Sequence, residues 1–131
     1  MVLTAGNVND CTVFTQVIDQ IKARRRGRLW TRPIRVLADK AYSTRAIRAY
    51  LRRRRITATI PERRDQQANR QRRGSAGGRP PAFDPIAYKR RNIVERCFNR
   101  LKHYRAIATR YDKTATSYQG WLDLTTLLMW L

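Results

Sequence analysis

Apolar positions along this chain follow two rhythms, one of period near four and one of period two, and their alternation predicts the elements. The opening VLT reads as the end of a strand, followed by a turn at Gly6 and Asn7. Asp10 is placed to cap a helix that carries Val13, Phe14, Val17, Ile18 and Ile21 on one face. That helix ends before the basic connector ARRRGR. Val36, Leu37 and Ala38 then form an apolar run too short for a helix, as in a buried strand, with Asp39 at its C-terminal end. Ser43 is placed to cap STRAIRAYLRRRR, in which Ala46, Ile47, Tyr50 and Leu51 make a core stripe. In ITATI, Ile56, Ala58 and Ile60 alternate with Thr57 and Thr59, which predicts a strand with one face buried, closed by Pro61. Strands alternating with helices predict an α/β fold.

Residues 62–82 are basic, contain Gly and Pro and hold almost nothing to bury, so a flexible loop is expected there. Asp84 followed by Pro85 is a helix start, because the carboxylate satisfies free amides and proline at the first helical position forfeits no hydrogen bond. One long helix is expected to follow, and a second from about Ser117 to Leu131, with Trp121, Trp130, Leu122, Leu127, Leu128 and Leu131 forming core. The run WLDLTTLLMWL contains Asp123 and falls short of the roughly 20 residues of a membrane span. No internal repeat is visible.

Charge narrows the partner. With 29 Lys and Arg against 9 Asp and Glu, the net charge is +20 and the pI about 11.6, which points to a polyanion, because neutralising phosphates releases condensed counterions. Nucleic acid is the expected partner, and no membrane is. Cys11 and Cys97 stand too far apart to suggest a disulfide framework or a zinc site, and the start has no cationic leader, so a reducing, cytoplasmic setting near the nucleoid is expected.

Against that charge, a glutamate inside the basic helix YKRRNIVERCFNRLK raises a question. At 100° per residue, Tyr88, Arg91, Glu95 and Lys102 share an arc of about 60° over roughly 21 Å, beside an apolar arc of Ile93, Val94, Cys97, Phe98 and Leu101. Glu95 is either an ion pair with Arg91 on a helix surface or a metal ligand. Asp39 is likewise either a turn residue or a ligand. Together, a carboxylate ending a buried strand and one on a neighbouring helix suit a shared divalent ion.

The segments VLADKAYSTRAIRAYLRRRRITATIP, RRGSAGGRPPAFD and YKRRNIVERCFNRLKHYRAIATRYDK resemble the C-terminal part of bacterial DDE transposases of the insertion-sequence-five group, with an insertion-sequence-four-like transposase domain. The most specific element is Tyr-x2-Arg-x3-Glu-x6-Lys, met by Tyr88, Arg91, Glu95 and Lys102, with DKAY upstream. The resemblance implies a ribonuclease H-like fold in which two aspartates and a glutamate hold two Mg2+ or Mn2+ ions for phosphodiester cleavage and strand transfer. Asp39 and Glu95 would be the second aspartate and the glutamate, as catalytic residues and metal ligands. Tyr88, Arg91 and Lys102 would contact DNA.

The first catalytic aspartate of such enzymes lies upstream, and here only Asp10 and Asp19 precede Asp39. Asp10 reads as a cap and Asp19 as a helix residue. The expectation is therefore a single partial catalytic domain over residues 1–131, lacking its first strands and inactive alone. It would be completed by the N-terminal part of the transposase; that part, or a homo-oligomer, is an expected partner beside DNA. The alternative is a noncatalytic basic DNA-binding protein that inhibits the full enzyme. An RNA-binding protein of ribosomal type explains the charge but not the ordered carboxylates. Trp30, between Arg28 and Arg32, reads as packing more readily than as a base-stacking residue, and the 62–82 loop as a DNA-backbone contact.

Overall fold

The computed structural model describes residues 2–4, 7–109 and 113–130, apart from the side chains of Arg25, Ala106 and Trp130. These residues form two compact units, one spanning Asn7–Arg90 and the other built from the residues before Asn7 and from Arg91 onward. The expected single domain is thus divided at the start of the Glu95 helix.

In the Asn7–Arg90 unit the chain enters through a 3-10 turn, Asp10–Thr12, and helix α1, Phe14–Asp19. Asn9, not Asp10, caps the turn by accepting from the Cys11 N–H at 2.9 Å. The opening VLT carries no strand. The expected connector is a hairpin, β1 (Ala23–Arg25) antiparallel to β2 (Arg28–Trp30), closed by Arg26 (φ 49°) and Gly27 (φ 76°). Positive φ at both central positions matches the right-handed twist of the strands, so an Arg-Gly pair suffices for the turn.

The predicted strands both form. Strand β3 (Arg35–Leu37) pairs in parallel with β4 (Thr57–Thr59), Val36 opposite Ala58, and helix α2 (Arg45–Arg53) makes the crossover. Thr44, not Ser43, caps α2 by accepting from the Ile47 N–H at 3.2 Å. The core gathers Phe14, Ile18, Ile47, Tyr50, Leu51, Ile56 and Ile60, with Val36, Ala38, Tyr42 and Ala58 packed against it. Phe14 lies 5.5 Å from Tyr42 and meets Tyr50 edge-on at 6.4 Å between centroids. Tyr50 keeps its hydroxyl satisfied by donating to Asp19 Oδ1 at 2.6 Å.

Residues 64–72, expected in a loop, form helix α3, followed by a 3-10 turn over Gly74–Gly77. Arg and Gln are good helix formers, and tertiary bonds replace the missing apolar face. Gln66 Nε2 donates to the Ser43 carbonyl at 2.5 Å, and Arg70 grips Glu62 with both nitrogens of its fork, Nη2 to Oε2 at 2.7 Å. The 3-10 turn passes so close to α3 that a Cβ at Gly77 would stand 2.3 Å from the Arg70 carbonyl oxygen, so only glycine fits there. Asp84 caps α4 (Pro85–Lys89) as expected, accepting from Ala87 N–H at 2.9 Å, and also pairs with Arg35 at 2.7 Å.

The second unit holds α5 (Asn92–Lys102), α6 (Arg105–Thr109) and α7 (Ala115–Trp130). The long helix expected from Pro85 is therefore interrupted. Arg90 N–H turns back to Ala87 and Tyr88, and Val94 N–H bonds Arg91 O at 2.9 Å, short-range bonds typical of helix ends. Its core is small: Leu101, Ile107 and Leu122, with Tyr118 and Met129 against them. Trp121, Leu127 and Leu128, expected in the core, are exposed, while Trp130's side chain and Leu131 lie outside the described residues. Among the described residues no helix is long and apolar enough to cross a membrane.

Candidate functional site

Asp39 leaves the C-terminal end of β3, the end of parallel strands where ligand-binding residues collect. It is half-buried and caps the 3-10 turn Lys40–Tyr42, its Oδ1 accepting from the Ala41 N–H. Cys11 donates from Sγ to the Ala41 carbonyl at 3.5 Å. Burial, then the charges of Asp39 and Asp10, push the Cys11 thiol up. Burial, then Asp10, Cys11 and Asp39, raise the Tyr42 hydroxyl. Asp10 and Asp39 thus act on the same two neighbours. Asp19 is committed elsewhere, to Tyr50 and Arg54.

Tyr88 sits on α4, its ring 5.2 Å from that of Phe83. Arg91, Glu95 and Lys102 belong to the other unit. Arg91 Nη2 donates to Glu95 Oε1 at 2.6 Å, one helical turn apart, so the structure brings these two together as an exposed i,i+4 ion pair. Lys102 ends α5, exposed, where a cation complements the negative end of the helix dipole. The interruption at Arg90 and Arg91 puts Tyr88 on a different helix from the other three, so the continuous stripe expected over residues 88–102 is not formed.

Carboxylates are the right donors for Mg2+ or Mn2+. Among the described residues, however, no three His, Cys, Asp or Glu side chains gather, and Asp39 and Glu95 stand on separate units. These two alone do not fit a complete two-ion centre.

Two basic surfaces take shape from segments whose charge, though not whose surface, is legible in the sequence. The hairpin carries Arg24 and Arg28 with Leu29 and Trp30 exposed, so Trp30 is not core packing. The second is an arginine-lined cavity along α2 and α3. Its signal was present in the spacing Arg45, Arg48, Arg52, one helical face opposite Ile47, Tyr50 and Leu51.

The comparisons agree with this reading at the level of the family. A domain family described as the transposase DDE domain, of an enzyme class that acts on DNA and is generally dependent on divalent metal, matches residues 1–130. The chain is 30% identical over 128 residues to a protein assigned as the transposase for insertion sequence element IS6501 of Brucella ovis, covering 98% of this chain and 84% of that one. It is 34% identical over 125 residues to the protein so assigned for IS402 of Burkholderia cepacia, covering 94% of this chain but only 52% of the relative. No solved structure matches. Since the match runs from residue 1 to residue 130 of 131, the chain belongs to the DDE transposase domain family.

Proposed function

We propose that this chain supplies Asp39 and Glu95 to the metal-dependent DNA cleavage and strand transfer of an insertion-sequence transposase with a ribonuclease H-like fold, of the insertion-sequence-five group. The observation that carries the reading is Asp39 at the carboxyl end of β3 in a parallel strand–helix–strand unit. Membership of the DDE family and the spacing from Tyr88 to Lys102 support it. Divalent ions, when bound, polarise the scissile phosphodiester and activate the attacking oxygen. Asp39 and Glu95 would serve as two of their ligands. Arg91 holds Glu95 in one orientation until an ion competes for it, and Lys102 and Tyr88 bind the DNA backbone.

The test is DNA nicking and Mn2+ binding by the chain, the latter followed by electron paramagnetic resonance. Asp39→Asn and Glu95→Gln are each expected to weaken Mn2+ binding, and to abolish EDTA-sensitive nicking wherever the unsubstituted protein shows it. Mn2+ binding unchanged in both variants rejects the site. The net charge of +20 supports a second reading, in which the chain occupies element ends without cutting and inhibits the full enzyme. Inhibition of transposition that survives both substitutions is its signature.

A further inference from the structure

We propose that the arginine-walled cavity between α2 and α3 is a phosphate-binding pocket that grips a backbone phosphodiester of DNA, a role that rests on the DNA-binding reading above but is independent of Asp39 and Glu95.

The pocket follows from two helical spacings. On α2, Arg45, Arg48 and Arg52 recur every three to four residues, on the face opposite the core stripe. On α3, Gln66, Asn69 and Arg70, with Arg73 at the C-cap, lie on one face. A cavity of about 390 Å3 lies between them, and one of about 360 Å3 adjoins it between α3 and the 77–81 segment, the two sharing Glu62, Gln66 and Pro81 in their walls. Both volumes fall in the roughly 300–1,000 Å3 range of small-ligand sites. Six arginines, Arg45, Arg48, Arg52, Arg70, Arg73 and Arg79, line them against a single carboxylate, Glu62. That carboxylate is already held by both nitrogens of Arg70. The walls therefore carry a large uncompensated positive charge.

Arg48 is the fixed point. Its Nη2 donates to Ser43 Oγ at 2.9 Å and to the Ile60 carbonyl at 2.8 Å, both neutral acceptors and both on residues that are no more than 2% exposed. Ser43 is in turn held by Gln66, donating from Oγ to Oε1 at 2.8 Å while its carbonyl accepts from Nε2. This explains why Ser43 is buried instead of capping α2. The network orients a planar guanidinium before any ligand arrives, which removes the ordering cost from binding. Burial works against the charged form of Arg48, with Glu62 opposing that effect at longer range. A desolvated guanidinium with only neutral hydrogen-bond acceptors gains most from an oxyanion, and with both Nη2 hydrogens given to Ser43 and Ile60 it offers Nη1 to a single phosphate oxygen while Arg45 and Arg52 supply further donors. A phosphodiester is the oxyanion the remaining arginines can also follow along a strand.

The experiment is duplex DNA binding by fluorescence anisotropy as a function of salt. It compares the unsubstituted chain, Arg48→Lys, the double variant Arg45→Gln/Arg52→Gln, and Arg105→Gln as a surface-charge control on the other unit. Thermal melting confirms that each variant is folded. The double variant is expected to bind about tenfold or more weakly, with the log-log salt slope shallower by about one. Arg48→Lys, which keeps the charge and loses the planar group held by Ser43 and Ile60, is expected to lose affinity with the slope unchanged, and Arg105→Gln to change little. Pocket variants that bind DNA like the control overturn the pocket and leave the DNA reading standing. Absence of DNA binding by the unsubstituted chain overturns both. Inorganic phosphate, followed by 31P NMR, and single-stranded RNA are the competing sources. Pocket-dependent binding of phosphate with DNA affinity unaffected, or of RNA in preference to DNA, overturns the assignment to DNA.

Discussion

The two units of this chain handle their apolar residues differently. The Asn7–Arg90 unit closes over seven buried side chains, among them Leu51 at 0% and Ile60 at 1% exposure, with Leu29, Ile34 and Ile86 among those left outside that core. The unit beginning at Arg91 buries Leu101, Ile107 and Leu122, yet leaves Ile93, Val94, Phe98, Trp121, Leu124, Leu127 and Leu128 exposed. The cause lies in patterning. Helix α2 carries one apolar stripe, and α1 and the parallel strand pair cover it. Helix α7 is apolar nearly all round, and two short neighbours cannot cover every side. Exposed apolar side chains in this number favour self-association.

The largest test of that contrast compares matched truncations. Leu51→Ala is expected to cost about 3–5 kcal/mol, because a fully enclosed leucine leaves a cavity, while Leu127→Ala at 58% exposure stays within about 0.5 kcal/mol. Urea denaturation reads both. Equal losses would mean that Leu127 is covered in solution. Next in size is Ser43→Ala, which leaves Arg48 and Gln66 short of a buried partner and is expected to cost about 1–3 kcal/mol. A change near zero would remove the rigid floor from the phosphate pocket. Turning to the open unit, Leu127→Lys with Leu128→Lys is expected to raise solubility and reduce binding of an apolar dye without moving the melting temperature. No dye binding by the unsubstituted chain would contradict the exposed face.

A pH titration sharpens the closed unit further. The Tyr50 hydroxyl, and then Arg54, hold the Asp19 carboxyl below its ordinary 3.8, with burial opposing them. A depressed carboxylate contributes stability that is present above its unfolded value and lost as pH falls through the folded one. The contribution from Asp19 is therefore intact above about pH 4 and disappears below it. Asp19→Asn is expected to lower the melting temperature at neutral pH and to flatten its fall below pH 4. An unaltered acid limb would show that other carboxylates govern it.

Local signals are legible in this sequence and tertiary ones are not. Asp84 and Pro85 announce α4 because cap and first turn are neighbours in sequence. Strands β3 and β4 were legible from an apolar run and an alternation, although Thr59 is buried against that alternation, as parallel strands covered on both faces allow. Helix α3 was not legible, because Ser43 and Glu62 anchor it in place of an apolar stripe. The hairpin escaped because Arg26 adopts a positive φ that its side chain does not advertise. Asp39 was found at the end of its strand, both as candidate ligand and as turn residue. The interruption between Tyr88 and Arg91, which separates the motif into two units, has no counterpart in the periodicity.

The smallest expected effect decides how the others are interpreted. Glu95 is exposed and its pair with Arg91 is an i,i+4 surface contact, so Glu95→Gln is expected to change stability by no more than about 0.5 kcal/mol. Leu101→Ala on the same helix removes buried apolar surface and should cost about 2 kcal/mol or more, which calibrates the measurement. If Glu95→Gln melts with the unsubstituted protein while Mn2+ binding falls, the carboxylate acts as a ligand, because nothing structural was lost with it. If it melts as low as Leu101→Ala, Glu95 holds α5 together, and weakened metal binding by that variant then reports a loosened helix instead of a missing donor.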